Sequence, residues 1–343
     1  MNRLLLLVLI LLTHCSFDNK TGIWKNENDP IINAKNEFKD FKKLNIQEQT
    51  FDKLISPPDS LSIKLSSVVS NLKWSDKFYQ NSNNYENYSY NESQQILLKS
   101  RKLSKYELNE TILFDGANVI LSDIRGNIIF YSLKDRKILY KYNFYKKKYK
   151  RFNKKLDFII ENNIIYISDN LGFTYAINYV EKKLLWARNF KIPFRSNLKI
   201  VDNNIFLSDQ DNSLFVLNKI TGSTFKTFPT EQTIIKNSFG NSLASAGSNL
   251  FFLNTFGSLY AINTEIFEIK WFINLNQSVD LNPVNLFYSN TTVFYKKRLI
   301  ISSDPYLYIL NSDTGRILNK ISILSISKPL VSKDKIFLIT KNN

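Results

Sequence analysis

The chain has 343 residues, of which 43% are hydrophobic and 14% aromatic, and it carries a formal net charge of +16 at pH 7. Its only histidine and its only cysteine, His14 and Cys15, are adjacent near the N-terminus. The sequence after Cys15 therefore lacks both imidazole and thiol. That excludes Ser-His-Asp and Cys-His catalysis, zinc sites with His or Cys ligands, c-type haem attachment and disulfide bonds from this part of the chain.

The first residues have the pattern of an export signal. A short polar start precedes nine apolar residues, Leu4 to Leu12, and the sequence Thr13-His14-Cys15 follows. Nine residues rise about 14 Å as a helix, which is too short for a hydrocarbon core of roughly 30 Å. The order resembles a bacterial lipobox and predicts a signal peptide over residues 1–14 with a lipid on Cys15, although His14 stands where a small residue is usual. An ordinary secretory signal with an incidental cysteine is the alternative.

Residues 15–60 are predicted to form a lipid-anchored tether. They are rich in Asn, Lys, Asp and Glu, show no sustained strand alternation and end at Ser56-Pro57-Pro58-Asp59. Such a segment holds a folded domain clear of a bilayer. Ser16 after the cysteine implies, by resemblance to bacterial lipoproteins, transfer to the periplasmic face of the outer membrane.

The stretch from Asn163 to Trp186 recurs with variations along most of the remaining sequence. Two runs of β-branched and aromatic residues, Ile164 to Ser168 and Phe173 to Ile177, are separated by a turn and predict a hairpin. One further run precedes it, Leu156 to Ile160, and one follows, Lys183 to Arg188. Each unit is therefore predicted to contain four strands.

The units repeat with a period in the forties. The residues that close the second strand of the hairpin are Ser132, Asn178, Asn218, Asn263 and Asn311, at spacings of 46, 40, 45 and 48. A four-stranded unit of this length is typical of a β-propeller blade. We therefore predict an all-β protein with six blades over residues 61–343.

The sixth unit has only two predicted strands, Pro329 to Ser332 and Ile336 to Thr340. An incomplete blade leaves an unpaired strand edge, which N-terminal strands usually complete. Leu61 to Val69 and Gln95 to Lys102 are the candidates for that role. The alternative is that the chain stops early relative to a ring of up to eight blades.

One segment between the first two units concentrates positive charge. Its cations, with no acid among them, are Lys141, Lys146, Lys147, Lys148, Lys150, Arg151, Lys154 and Lys155. Interleaved aromatic residues fit a nucleic-acid or anionic-membrane surface. The export signal argues against nucleic acid, so a solvated loop between blades is the favoured interpretation and contact with anionic headgroups the next.

Carboxylates recur in the predicted hairpin turns. The carboxylates that come nearest to a catalytic pair or a Ca²⁺ site are Asp209 with Asp211, and Asp123 and Asp169 at matching positions of other units. Their recurrence favours a structural role, because Asp bonds back to turn amides. We expect no catalytic residue, no metal and no cofactor.

Two units carry a more specific pattern. One unit contains Tyr175-Ala176-Ile177-Asn178 and then Trp186, and another contains Tyr260-Ala261-Ile262-Asn263 and then Trp271. Two other units contain a Thr-Gly pair, Thr221-Gly222 and Thr314-Gly315. This pattern resembles the repeat of pyrroloquinoline-quinone-type propellers. The resemblance implies that Ala176, Trp186, Ala261, Trp271, Gly222 and Gly315 pack neighbouring blades together. No unit has the full set, because Lys182 and Phe267 replace Gly in the Trp units, and Lys226 and Asn319 replace Trp in the Gly units.

An exported propeller of this kind without quinoprotein chemistry resembles the propeller lipoproteins of the outer-membrane β-barrel assembly machinery. That resemblance implies a non-catalytic scaffold whose partners are the barrel-forming subunit and unfolded barrel substrates, and not nucleic acid. No motif assigns the partner surface. Two other hypotheses stay open: a periplasmic ligand- or protein-binding propeller of unrelated role, and a quinone-dependent dehydrogenase, although the adjacent cysteine pair of those enzymes cannot exist here.

Overall fold

A computed structural model describes residues 62–70, 73–89, 95–96, 98–231, 239–276, 286–325 and 327–340, together with the backbone of two short strands nearer the N-terminus. The chain divides into two compact units, Met1–Ile55 and Ser56–Asn343. In the first unit, β1 (Ser16–Phe17) pairs antiparallel with β2 (Trp24–Lys25). The predicted signal peptide, Cys15 and the rest of the predicted tether lie outside the described residues.

The second unit is a series of antiparallel sheets, each built from strands that follow one another in the chain. Blade 1 contains β3 (Leu108–Phe114), β4 (Asn118–Asp123), β5 (Asn127–Ser132) and β6 (Lys137–Asn143). Blade 2 contains β7 (Leu156–Glu161), β8 (Ile164–Asp169), β9 (Phe173–Asn178) and β10 (Lys183–Asn189). Blade 3 contains β11 (Lys199–Val201), β12 (Asn204–Ser208), β13 (Leu214–Asn218) and β14 (Thr224–Phe228).

The remaining sheets continue the series. Blade 4 contains β15 (Ser242–Ala246), β16 (Asn249–Leu253), β17 (Ser258–Asn263) and β18 (Glu268–Asn274). Blade 5 contains β19 (Val293–Tyr295), β20 (Arg298–Ser302), β21 (Tyr306–Asn311) and β22 (Ile317–Ser322). Blade 6 contains β23 (Leu330–Ser332) and β24 (Lys335–Phe337). The predicted β-propeller is confirmed, with five four-stranded sheets and a two-stranded sixth among the described residues.

Helical structure is almost absent from the described ranges. A single 3-10 turn, Lys147–Tyr149, stands between blades 1 and 2. None of the described residues forms a helix with the length and hydropathy needed to cross a bilayer.

Blade 2 shows why these sequences form strands. The two middle strands, β8 and β9, are buried almost throughout, whereas the outer strand β10 is mostly exposed or half-buried. β-Branched and aromatic side chains on both faces of the middle strands suit a sheet that is covered on each side by a neighbouring blade. The predicted strands of this unit differ from the observed ones by one residue at most.

An asparagine ends the third strand of each of blades 2 to 5. The side-chain Oδ1 of Asn178, Asn218, Asn263 and Asn311 accepts backbone N–H groups two and three residues further on. An asparagine in this position fixes the turn to the outer strand. The sequence landmark that measures the repeat is therefore a turn-closing side chain.

The sixth blade is not completed as expected. The described parts of Leu61 to Val69 and of Gln95 to Lys102 contribute no strand to it. Instead, the Ser66 N–H donates to Ser332 Oγ at 2.9 Å, and the two hydroxyl oxygens lie 3.0 Å apart. The first strand of this blade, β23, is bound by Asn84, whose side-chain amide both donates to and accepts from the Val331 backbone at 2.9 Å.

Candidate functional site

Residues 74–84, called the axial segment below, meet the first strand of one blade after another. Trp74 and Phe114 of blade 1 exchange backbone hydrogen bonds of 2.7 and 2.8 Å. The next carbonyl, Ser75 O, accepts the N–H of Ile160 of blade 2 at 2.8 Å. The edges of two first strands are thereby paired with the chain's own N-terminal part.

The far end of the axial segment continues around the ring. Asn81 donates its amide to the Ile200 carbonyl of blade 3 at 3.2 Å, and its backbone carbonyl accepts the Ser245 N–H of blade 4 at 2.8 Å. The Ser82 carbonyl accepts the Phe294 N–H of blade 5 at 2.9 Å. With Asn84 on blade 6, the segment contacts all six blades in chain order and covers edges that would otherwise expose unpaired backbone groups.

A buried ion pair fixes the axial segment to blade 3. Asp76 and Lys199 approach to 2.6 Å, and their side chains are 3% and 0% exposed. The same ammonium donates to the Gln80 carbonyl at 3.1 Å. Burial lowers the pKa of Lys199, and the Asp76 carboxylate beside it opposes that shift.

Two cavities lie at opposite ends of the first strands, with the axial segment lining both. The larger, of about 480 Å³, is lined by Lys77, Phe78 and polar residues that precede the first strands, including Lys155 and Asn241. The smaller, of about 350 Å³, is lined by Asp76, Gln80, Asn81 and the C-terminal end of β7. Each cavity therefore has residues of the axial segment in its wall.

The recurring carboxylates close turns. The backbone N–H groups two and four residues ahead donate to Oδ1 of a residue at the end of the second strand or directly after it, namely Asp123, Asp169, Asp209 and Asn254. Asp211 is one of the residues whose N–H is bound in this way. No group of three or more His, Cys, Asp or Glu side chains within the described ranges could hold a metal ion.

Asp209 is the most perturbed of these turn residues. It is 1% exposed, and its Oδ2 has no hydrogen-bond partner in the described part of the chain. Burial, reinforced by the nearby charge of Asp211, raises the pKa of Asp209 to about 6. The ionised carboxylate is therefore a source of instability at neutral pH.

Asp209→Asn is expected to stabilise the protein at pH 8 relative to the parent and to have less effect near pH 4.5. A carboxyl with a raised folded-state pKa contributes stability below its unfolded pKa of about 3.9, and the contribution is lost as pH rises through about 6. Two pKa units correspond to about 3 kcal/mol. Urea unfolding of the parent and of Asp209→Asn at both pH values measures the change in stability. A change of the same size at both pH values would contradict the prediction. Asp209→Ala, which also deletes the turn acceptor, should destabilise at both.

The predicted packing residues of blades 2 and 3 meet at one junction. A Cβ added to Gly222 would lie 2.3 Å from Cε3 of Trp186, so the indole rests directly on the glycine backbone. Trp186 Nε1 donates to the Lys219 carbonyl at 2.9 Å. Ala176 pairs with Trp186 across the strands of blade 2 and is fully buried. The Ala, Trp and Gly of the repeat, which no single unit contains together, are thus divided between two neighbouring blades.

Blades 4 and 5 repeat the arrangement. A Cβ on Gly315 would lie 2.6 Å from Cε3 of Trp271, and Trp271 Nε1 donates to the Ser312 carbonyl at 2.9 Å. Ala261 pairs with Trp271 in the strand register. We propose that these two triads hold their blade pairs together.

The junction between blades 1 and 2 and the junction between blades 3 and 4 replace both members of the pair. Tyr140 of blade 1 stands where the Trp is found and lies beside Lys182, and Lys226 of blade 3 donates to the Phe267 carbonyl at 2.5 Å. Lys182 and Phe267 share the positive φ of the glycines but carry side chains. A flat indole needs the space that only glycine leaves, so the Trp and the Gly are present or absent together.

The basic segment connects blades 1 and 2, as the loop interpretation predicted. Lys141 belongs to β6. Six further cations, Lys146, Lys147, Lys148, Lys150, Arg151 and Lys155, are exposed. Lys154 differs, because it is 1% exposed and donates to the Tyr149 carbonyl at 2.5 Å.

Comparison with known proteins adds evidence on the fold. No family model matches the sequence. No curated protein matches it either. Among solved structures, the chain is similar to BamB from Moraxella catarrhalis, with 14% identity, coverage of 70% of this chain and 71% of that one, and a TM-score of 0.56. The fold is a quinoprotein-like β-propeller.

Two dehydrogenase propellers are as similar. A europium-containing methanol dehydrogenase has a TM-score of 0.57 at 12% identity, covering 74% of this chain and 58% of that one. The quinohemoprotein alcohol dehydrogenase ADHIIG from Pseudomonas putida HK5 has a TM-score of 0.57 at 10% identity, covering 74% of this chain and 48% of that one. The chain thus spans less than two thirds of either dehydrogenase. Identities this low establish the fold and no activity.

The described residues do not fit a quinone cofactor with a bound metal. The axial segment lines both axial cavities, and its Asp76 is committed to the buried pair with Lys199. The described ranges also offer no cluster of three metal-ligating side chains. We therefore derive no chemistry through such a group.

The axial segment is the feature of the candidate site that sequence reasoning missed. Residues 80–84 read Gln-Asn-Ser-Asn-Asn and have neither a strand nor a helix period. A polar run of this kind usually indicates a surface loop. The available signal was the run of amide side chains, which can satisfy backbone groups of several strand edges at once.

Proposed function

We propose that this propeller is a non-catalytic lipoprotein scaffold of the outer-membrane β-barrel assembly machinery. Its partners would be the barrel-forming subunit and unfolded barrel substrates. The observation that carries the proposal is the axial segment, which contacts the first strands of all six blades and commits Asp76 to the buried pair with Lys199, so that we assign binding to the outer surface. The likeness to BamB in fold supports the same reading.

Exposed apolar side chains provide a surface for protein partners. Val180, Ile220 and Ile266 lie in the turns between the third and fourth strands of blades 2, 3 and 4, with exposures of 62%, 71% and 61%. They therefore recur on one side of three consecutive blades. We infer that apolar groups recurring at the same exposed turn of neighbouring blades form part of an interaction site.

The outer strands offer a way to bind unfolded substrates. β14 and β22 each pair on one side only, and nearly all of their residues are exposed or half-buried. An extended segment of a barrel substrate could add to such an edge through backbone hydrogen bonds. Cys15 would carry the lipid anchor at the periplasmic face of the outer membrane, which labelling of the protein with radioactive palmitate tests.

Affinity purification of the tagged full-length protein from solubilised envelopes tests the proposal. We expect the barrel-forming subunit in near-equal amount, identified by mass spectrometry. Ile220→Ser with Ile266→Ser should reduce its recovery at least about tenfold, since each exposed side chain loses roughly 1 kcal/mol or more of apolar contact.

The matched control removes apolar side chains of similar exposure from another region. Val68→Ser with Ile339→Ser changes residues that are 59% and 57% exposed. This control should recover the subunit as well as the parent does. If the parent recovers no component of the machinery, the proposed function is wrong.

A further inference from the structure

The connection between blades 1 and 2, residues 144–155 and called the basic loop below, concentrates positive charge on its surface. Its six exposed cations form no ion pair with a carboxylate of the described residues. By contrast, Lys77, Lys199 and Lys219 in the blades and the axial segment are each paired with an acid at 2.6–2.9 Å. The charge of the loop is therefore available to an external anion.

Hydrogen bonds and a cation–π contact fix the backbone of the basic loop. Arg125 Nη1 donates to the carbonyls of Lys150 and Arg151 at 3.1 and 3.0 Å. The buried Lys154 ammonium lies over the Tyr145 ring, 4.9 Å from its centroid. A loop fixed in this way presents its cations with little further loss of conformational entropy on binding.

Tyr145, a residue of the loop, is fixed by contacts with both neighbouring blades. Its hydroxyl donates to Asp169 of blade 2, and its ring packs on Gly126 of blade 1. A Cβ on Gly126 would lie 2.3 Å from Cε2 of that ring. The loop is thus anchored to both blades that it connects.

An apolar side chain stands among the cations. Phe152 is 55% exposed and directly follows Lys150 and Arg151. Lys105 and Arg125 extend the positive surface, since both lie over the Tyr106 ring and Arg125 also binds the loop. Three acids, Glu107, Glu110 and Asp157, share a shallow cleft with Lys154 and Lys155 on one side of the loop, and Asp157 is paired with Lys77.

We propose that the basic loop docks on the phosphate groups of an anionic phospholipid bilayer, with Phe152 entering the interfacial region. Several unpaired cations around an exposed aromatic residue match the charge and polarity gradient of such an interface. The flexible ammonium groups suit a field of mobile phosphates better than one shaped ligand, because the loop surrounds no enclosed pocket for a single anion. This inference concerns lipid alone and does not rest on the proposed protein partners.

Vesicle binding of the full-length chain tests the inference. Cys15→Ala is included in every variant so that no acyl chain contributes, and the apolar N-terminal residues act equally in all of them. The parent should bind phosphatidylglycerol-containing vesicles far more tightly than pure phosphatidylcholine vesicles, and about 0.5 M salt should remove the difference. Changing Lys147, Lys148, Lys150 and Arg151 to Gln should lower binding to the anionic vesicles by roughly 600-fold at low salt, because each of the four cations near the surface contributes about fivefold.

The control removes the same charge from exposed positions spread over the protein. Lys64→Gln, Lys134→Gln, Lys191→Gln and Lys333→Gln together should retain most of the binding. Phe152→Ser should weaken binding to the anionic vesicles about fivefold or more at low salt, because it removes an apolar side chain from the interfacial region.

Equal loss in the two fourfold variants would overturn the proposal, because net charge alone would then explain binding. It would also be overturned if the loop variant bound vesicles like the parent but no longer recovered the barrel-forming subunit, since the loop would then be a protein contact. These vesicles contain no protein, so failure here leaves the proposed scaffold function untouched.

Discussion

Asp76→Ala is expected to lower the free energy of unfolding by about 3–5 kcal/mol. Asp76 and Lys199 form a pair at 2.6 Å with side chains that are almost completely buried. Removing one partner leaves an uncompensated charge in the protein interior. Urea unfolding followed by circular dichroism measures the change.

Two further variants identify the cause of that loss. Asp313→Ala removes an exposed pair with Lys297, in which the atoms are 3.8 Å apart and the side chains 51% and 80% exposed, and should change stability by no more than about 0.5 kcal/mol. Asp76→Asn combined with Lys199→Met should recover most of the stability, because no charge is left stranded. Equal small effects of Asp76→Ala and Asp313→Ala would show that the axial segment is not docked on blade 3.

Gly222→Ala is expected to destabilise the protein by at least about 1–3 kcal/mol more than Gly247→Ala. Both glycines have positive φ, +67° and +54°, so both substitutions place a Cβ on left-handed backbone at a similar cost. A Cβ at Gly247 meets nothing within 4 Å, whereas one at Gly222 meets the Trp186 ring at 2.3 Å. The excess therefore measures overpacking at the junction between blades 2 and 3. Thermal unfolding of the two variants gives the comparison.

A double-mutant cycle shows whether the effect comes from the indole. Trp186→Ala alone should cost about 3–5 kcal/mol, because a ring that is 7% exposed leaves a cavity. In the Trp186→Ala background, Gly222→Ala should cost no more than Gly247→Ala does, because its Cβ no longer has a ring to meet. Strict additivity of the two substitutions would contradict the proposed packing triad.

The blades were predictable from sequence because their signals are local. Alternating or continuous apolar runs define the strands of blade 2, and turn-closing residues such as Asn178 and Asp169 mark their ends. These patterns depend on neighbours within one unit. The same strands therefore appear within one residue of the predicted positions.

Features that depend on contacts between units were not predictable in this way. The separation of Trp186 and Gly222 into different units looked like a degraded motif, because the sequence order hides that the two residues face each other across a blade junction. The axial segment has no periodicity of its own, and its structure depends on strand edges up to 247 residues away in the chain, as at Val331. Such partners appear only when the ring is assembled.

Hydrogen–deuterium exchange of the native protein tests most directly the claim that the axis of this propeller is closed by its own chain. Trp74 N–H, Tyr79 N–H and Asn83 N–H are all bound to backbone carbonyls. Peptides covering residues 74–84 should therefore exchange as slowly as those of β8 and β12, and far more slowly than those of the exposed residues 146–151. Exchange of the axial segment as fast as that of residues 146–151 would show an open axis, and the account of a propeller that works only through its outer surface would then be wrong.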